Sequence, residues 1–280
     1  MFRYRLLTAI VGIPLGLLLI YAGGWYLAAA VGLLAVGGLT ELYRLLAARG
    51  RFVYTGLGYT LALFLLFITI LVPAPRPVLG SFAVEAALVA IAIAAAGRWM
   101  LATTVAPKGQ RLFETLAAQI YVPQMLSYVL RLRALPAPVA LGAITVPIGA
   151  CWMAGLMIVI WGMDTAAYGV GKAIGRHKLC PTISPGKTVE GTVAALITAI
   201  ALTTGIGHWL GLGLLKAITL GAMLGVVGQV GDLFESALKR AAGVKDSGVL
   251  LPGHGGVLDR FDSLLLSTPL TYYYLLLTLP

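Results

Sequence analysis

The sequence predicts an all-α polytopic membrane protein of about nine transmembrane helices with its N-terminus in the cytoplasm. Three observations carry that expectation. Hydrophobic residues make up 60% of the chain and mean hydropathy is +0.95, against roughly 45–50% apolar residues in globular domains. The apolar runs approach the ~20 residues needed to cross a hydrocarbon core. They are also continuous and do not alternate with period two, so helices fit and barrel strands do not. With this composition, 280 residues do not divide into soluble domains.

The expected spans are Leu6–Tyr21, Tyr26–Leu46, Thr55–Val72, Leu79–Ala96, Leu112–Leu130, Val139–Trp161, Val189–Leu210, Leu214–Val230 and Leu264–Leu279. The first follows a basic stretch and has no A-x-A-like cleavage site, so it is read as an uncleaved helix. The fifth is the weakest because it carries Glu114 and Gln119. Prolines such as Pro73, Pro75 and Pro136 punctuate span ends. Gly221, Gly225 and Gly228 are spaced for close helix–helix approach.

Charge sets the orientation. Of 20 Lys and Arg, only Arg76, Arg131, Arg133 and Lys216 fall on the outer side if nine spans alternate from a cytoplasmic N-terminus. That asymmetry is the positive-inside pattern. It places two long polar connections, 164–188 and 232–262, in the cytoplasm. The net charge of +10 is spread between apolar spans with no basic, aromatic-rich face, which argues for lipid headgroups and against nucleic acid. Cys151 and Cys180 lack a CxxC spacing and are read as packing residues.

The connection 232–262 holds nine of the thirty charged residues. Asp232, Glu235, Ser236 and Lys239 share one helical face, and Asp259 and Asp262 repeat the i, i+3 spacing. Unpaired at bilayer depth, Asp232, Asp259 and Asp262 together cost on the order of 8–10 kcal/mol. They are therefore expected to face a wet cavity, a cation or basic neighbours. Carboxylates converging on phosphate-binding groups suit Mg²⁺, which takes one or two carboxylates plus water and phosphate. In the first connection Asp164 stands at the end of the sixth span. Ser184-Pro-Gly-Lys-Thr188 reads as a hydroxyl-rich turn ahead of a helix, able to hold an anion or to be an ordinary basic loop. Gly169–Gly175 lacks the P-loop pattern and is weak as a nucleotide motif. His254, in a run of glycines, belongs to a tight turn that permits close backbone approach to a ligand; no partner supports it as a metal ligand. One-sided ionisable groups fit an enzyme better than a transporter, whose polar groups gather at the midplane.

Several stretches resemble the phosphatidate cytidylyltransferase (CDP-diacylglycerol synthase) family. They are Ser236-x-Leu238-Lys239-Arg240, Lys245-Asp246-x-Gly248 and Leu251-Pro252-x-His254-Gly255-Gly256-Val257-x-Asp259-Arg260-Phe261-Asp262. Asp164-Thr165-x-x-Tyr168 and Ser184-Pro185-Gly186-Lys187-Thr188-x-Glu190-Gly191 are similar to the same family. The resemblance implies an inner-membrane homodimer that uses CTP, phosphatidic acid and Mg²⁺, with a monovalent cation such as K⁺ beside it. It implies Asp232 and Asp259 as metal ligands. Asp262 and Asp246 are then expected in support, with Lys187, Lys239, Arg240 and Arg260 neutralising phosphates. Asp164, Ser184, Gly186, Thr188, Lys245 and His254 are counted with the nucleotide site. Residues 1–138 are expected to form a scaffold, with a lipid groove or dimer contacts, and 139–280 the catalytic region. A related enzyme acting on a polyprenol or another lipid phosphate, and a transporter, remain the rival readings.

Overall fold

A computed structural model describes residues 2–71, 108–135, 137–141, 144–248 and 255–279. The expected fourth span, 79–96, and His254 lie outside these residues. The described chain is helical apart from two short antiparallel strand pairs. In order it comprises α1 (Phe2–Ala22), α2 (Gly24–Ala48), α3 (Thr55–Leu71) and α4, which runs Lys108–Gln119, a π-helical turn Ile120–Gln124, then Met125–Arg133. There follow β1 (Pro138–Leu141), β2 (Ile144–Pro147), α5 (Ile148–Ile174), β3 (Lys178–Cys180), β4 (Ser184–Thr188), α6 (Val189–Trp209), α7 (Leu214–Ala241) and α8 (Leu258–Thr278). Among the described residues α2, α5, α6 and α7 are long and apolar enough to cross a membrane, while Ile10–Ala22 and Thr55–Leu71 are shorter apolar helices. The chain is a multi-pass helical membrane protein.

Two compact units emerge, Met1–Arg131 with Leu238–Phe261, and Leu132–Ala237 with Asp262–Pro280. In the first, α4 explains how a polar sequence survives in an apolar setting. Glu114 and Arg51 form an ion pair at 3.0 Å with side chains only 6% and 3% exposed. Gln110 Nε2 donates to the same Glu114 oxygen at 3.2 Å. Gln119 Nε2 donates to Gly58 O at 2.7 Å, and Thr115 Oγ1 accepts from Tyr54 N at 2.9 Å. The residues that weaken α4 as a hydropathy signal are thus the ones that tie it to α3 and to the connection before α3. Its π turn carries Pro123, which has no N–H for the regular helical ladder.

In the second unit, α5 and α6 pack closely through small residues. A Cβ on Gly155 would lie 3.0 Å from Ile206, and one on Gly191 would lie 2.6 Å from Ala167 O. The expected sixth span is displaced. Strands β1 and β2 pair antiparallel, Pro138 facing Pro147 and Val139 facing Val146. Prolines at both ends and the run Ile144-Thr145-Val146 favour strand over helix. Helix α5 starts only at Ile148 and continues to Ile174, so Asp164 sits within a helix and not at its end. Gly169–Gly175 closes α5 and does not form a phosphate loop. Ser184–Thr188 is likewise a strand, not a turn, paired Lys178 to Thr188 and Cys180 to Ser184. The last helix begins at Leu258, earlier than the Leu264 expected.

Replacing Glu114 with Ala leaves Arg51 buried without its partner carboxylate. Chemical denaturation in detergent is expected to show a loss of about 3–5 kcal/mol. The pair Arg51→Met with Glu114→Leu is expected to recover most of it.

Candidate active site

The second unit holds a cavity of about 380 Å³ whose wall includes Asp164, Ser184, Gly186, Lys187, Thr188 and Asp232. Five of these come from the first polar connection and the helix leading into it, and Asp232 comes from α7. Their convergence starts at Thr188, which caps α6 by accepting from Gly191 N at 3.2 Å. Gly171 and Gly175 at the end of α5 leave room for Thr188, since a Cβ on either would fall 2.9 or 2.7 Å from its side chain. The capped helix therefore seats against α5, and β4 reaches the cavity directly before it. Lys187 Nζ meets Asp232 Oδ2 at 2.8 Å, with the two side chains 20% and 33% exposed. Ser236 Oγ donates to Asp232 Oδ1 at 3.3 Å. Tyr168, one turn after Asp164, lines the same cavity and is 71% exposed. Asp262 is half-buried beside α7, where a Cβ on Gly231 would lie 2.7 Å from its carbonyl oxygen.

The first unit holds a different cluster, built around the start of α8. Asp259 Oδ1 accepts from Lys239 Nζ at 2.6 Å. Asp259 Oδ2 accepts from Ser247 N at 3.0 Å, Ser247 Oγ at 3.0 Å and Gly256 N at 2.8 Å. Burial pushes the Asp259 carboxyl up, but Lys239 and the Gly256 and Ser247 N–H groups outweigh it and hold its pKa below the usual carboxylate range. Arg240 Nη1 donates to Val244 O at 3.1 Å. Arg240, Lys245, Asp246 and Arg260 are all exposed.

Sequence reasoning missed the residue on which this cluster rests. Glu41, on α2, is 0% exposed. Its carboxylate accepts from Val257 N at 2.8 Å, Leu258 N at 3.0 Å and Ser247 Oγ at 2.9 Å. Two of those donors open α8, where backbone N–H groups and the helix dipole favour an anion. A Cβ on Gly248 would lie 2.6 Å from Glu41 Oε1, and one on Gly256 would collide with Glu41 and Ser247. Gly255 has φ +86°, and a Cβ there would lie 2.8 Å from Asp259 Oδ2. These glycines permit close approach as expected, but the groups they approach are the chain's own carboxylates. The available signal was an acidic residue, three positions before Arg44, in a largely apolar span.

The two carboxylates expected to hold a metal differ in fit. Asp232 keeps acceptor positions open toward the cavity, the one-carboxylate arrangement that suits Mg²⁺ with water and phosphate. Asp259 is more occupied: Lys239 sits on Oδ1, Ser247 N and Gly256 N donate to Oδ2, and the one Ser247 hydroxyl proton is shared with Glu41. Among the described residues no group of three or more His, Cys, Asp or Glu gathers as a ready-made metal centre.

The cytidylyltransferase family model matches residues 3–278. This chain belongs to the cytidylyltransferase family. It is 33% identical to the phosphatidate cytidylyltransferase of Synechocystis over 99% of its own length and 97% of the relative's. It is 42% identical to the Bacillus subtilis phosphatidate cytidylyltransferase over 59% of this chain and 58% of that protein. With the Staphylococcus haemolyticus phosphatidate cytidylyltransferase it shares 48% identity over 40% of this chain and 44% of the other.

Replacing Glu41 with Ala strands the Val257 and Leu258 N–H groups at the start of α8, while Ser247 Oγ keeps Asp259 Oδ2 as acceptor. It is expected to lower stability by about 3–5 kcal/mol, against about 1 kcal/mol for Ser247→Ala, by denaturant titration in detergent. Equal, small losses would show that Glu41 does not hold this segment.

Proposed function

We propose that this chain transfers the cytidylyl group of CTP to phosphatidic acid, giving CDP-diacylglycerol and pyrophosphate. The observation that carries the reading is the full-length match to a protein named phosphatidate cytidylyltransferase, together with a cavity that pairs a lysine with a carboxylate. In the reaction a phosphate oxygen of phosphatidic acid attacks the α-phosphorus of CTP. The bond from that phosphorus to the bridging oxygen breaks, and pyrophosphate leaves. The nucleophile is already anionic, so the work of the site is positioning and charge neutralisation more than proton transfer.

Lys187 neutralises phosphate oxygens at the cavity, with the N-terminus of α6 behind it. Ser184, Gly186 and Thr188 shape the wall on which the nucleotide lies, and Asp164 completes it. Asp232 offers a carboxylate to Mg²⁺, which when bound draws charge from the phosphates. Lys239, Arg240 and Arg260 would neutralise phosphates, Asp259 would be a second metal ligand with Asp262 and Asp246 in support, and Lys245 is counted with the nucleotide. A monovalent cation such as K⁺ accompanies Mg²⁺. The chain works as a homodimer in the inner membrane, with nine crossings, a cytoplasmic N-terminus and the site open to cytoplasmic CTP. The charge asymmetry of its connections supports that orientation.

The test is pyrophosphate release by purified chain in detergent with CTP, Mg²⁺ and a panel of phosphatidic acid, polyprenyl phosphate and an archaeal-type lipid phosphate. Phosphatidic acid is expected to give turnover, and no pyrophosphate with any lipid defeats the reading. Asp232→Asn and Lys187→Ala are each expected to lower kcat by roughly 10²–10³. Near wild-type rates in Asp259→Asn would remove Asp259 from the chemistry.

A further inference from the structure

Gln229 lines the same cavity as Lys187 and Asp232 and stands three residues before Asp232 on α7, about 4.5 Å of helical rise. Its amide nitrogen donates to Thr192 O at 3.1 Å and to Gly225 O at 3.0 Å. Backbone carbonyls only accept, so these two partners fix which end of the amide is nitrogen. Both N–H groups are thereby engaged. The amide oxygen, Oε1, has no hydrogen-bond partner among the described residues. An acceptor left open on a cavity wall calls for a donor on whatever fills the cavity.

The two substrates of the proposed transfer differ in what they can donate. Outside its phosphate, phosphatidic acid carries ester oxygens and hydrocarbon, with no N–H or O–H. CTP carries the exocyclic amino group of cytosine and the ribose hydroxyls. Besides its polar groups, the cavity that Gln229 lines has Met163, Ala167, Ala195 and Gly228 in its wall, small or apolar surface that suits the faces of a base more than a sugar. We propose that Gln229 reads the base. Its Oε1 accepts a hydrogen bond from the cytosine amino group, so the site takes cytidine nucleotides and rejects uridine nucleotides, which present an acceptor at that position. This inference rests on the cytidylyl-transfer reading.

The experiment compares kcat/KM for CTP, UTP and 2′-deoxy-CTP, and the thermal protection each nucleotide gives, in wild type, Gln229→Leu and Gln229→Glu. Wild type is expected to prefer CTP. Gln229→Leu is expected to narrow the CTP:UTP ratio roughly tenfold, the scale of one neutral hydrogen bond. Gln229→Glu has no N–H for Thr192 O and Gly225 O, so its acceptor is no longer held in place and the preference is expected to narrow as in Gln229→Leu. If Gln229→Leu does not fold because α6 loses its tie to α7, the wild-type chain decides: CTP is expected to protect, and UTP and N4,N4-dimethyl-CTP are not. The inference is overturned if wild type treats CTP and UTP alike, if Gln229→Leu keeps the full ratio, or if only the CTP:2′-deoxy-CTP ratio changes. Protection by CTP without pyrophosphate release would defeat the transfer reading alone, and the protection ratios would still decide the role of Gln229. Neither protection nor release would overturn both.

Discussion

A carboxylate withdrawn from water must find donors in its own chain, and that constraint shapes both units of this protein. Glu41 is the most complete case. Fully buried on α2, it takes two backbone N–H groups at the start of α8 and the hydroxyl of Ser247. Two glycines, Gly248 and Gly256, exist at positions where any side chain would meet that carboxylate. Ser247 stands between Glu41 and Asp259, its one hydroxyl proton within reach of both. The placement of Asp259 and Lys239 therefore depends on a residue some two hundred positions away. Glu114 with Arg51 obeys the same rule.

In the second unit the rule leaves something over. Asp232 has a lysine and a serine but is a third exposed, and Lys187 faces the same cavity. A salt bridge this open contributes little stability. In the proposed reaction its value is to hold opposite charges side by side where phosphate and a divalent cation would separate them. Gln229 repeats the pattern with a neutral group, its donors engaged and its acceptor open. Asp232 and Gln229 thus each present an open acceptor on the cavity wall.

Much of this was legible from local signals. Apolar runs gave α1, α2, α3, α6 and α7 because membrane burial is written in composition. Ser184, Lys187 and Asp232, which line one cavity, and Lys239 and Asp259, which pair, stood out in the sequence because charge and hydroxyls are conspicuous in so apolar a chain. The pairing of β1 with β2 was not legible, since a short apolar run with β-branched residues reads equally as helix or strand. Nor was the position of Asp164 inside α5, because hydropathy alone does not end a helix at a single acid. Glu41 and Gln229 were missed for a common reason. Their roles are set by hydrogen bonds across long sequence separations, which periodicity cannot register. The glycines of 255–256 were recognised as allowing close approach, but what approaches them was visible only in three dimensions.

The central claim is that the chain moves the α-phosphate of CTP onto a lipid phosphate. The most direct measurement follows two labels at once: CTP marked at the α-phosphorus in one reaction and at the γ-phosphorus in a parallel one, each with phosphatidic acid and Mg²⁺, followed by phase extraction. The account predicts that the α label enters the lipid phase in step with release of the γ label as pyrophosphate. A γ label in the lipid phase, or an α label that stays in water while CTP is consumed, would contradict it.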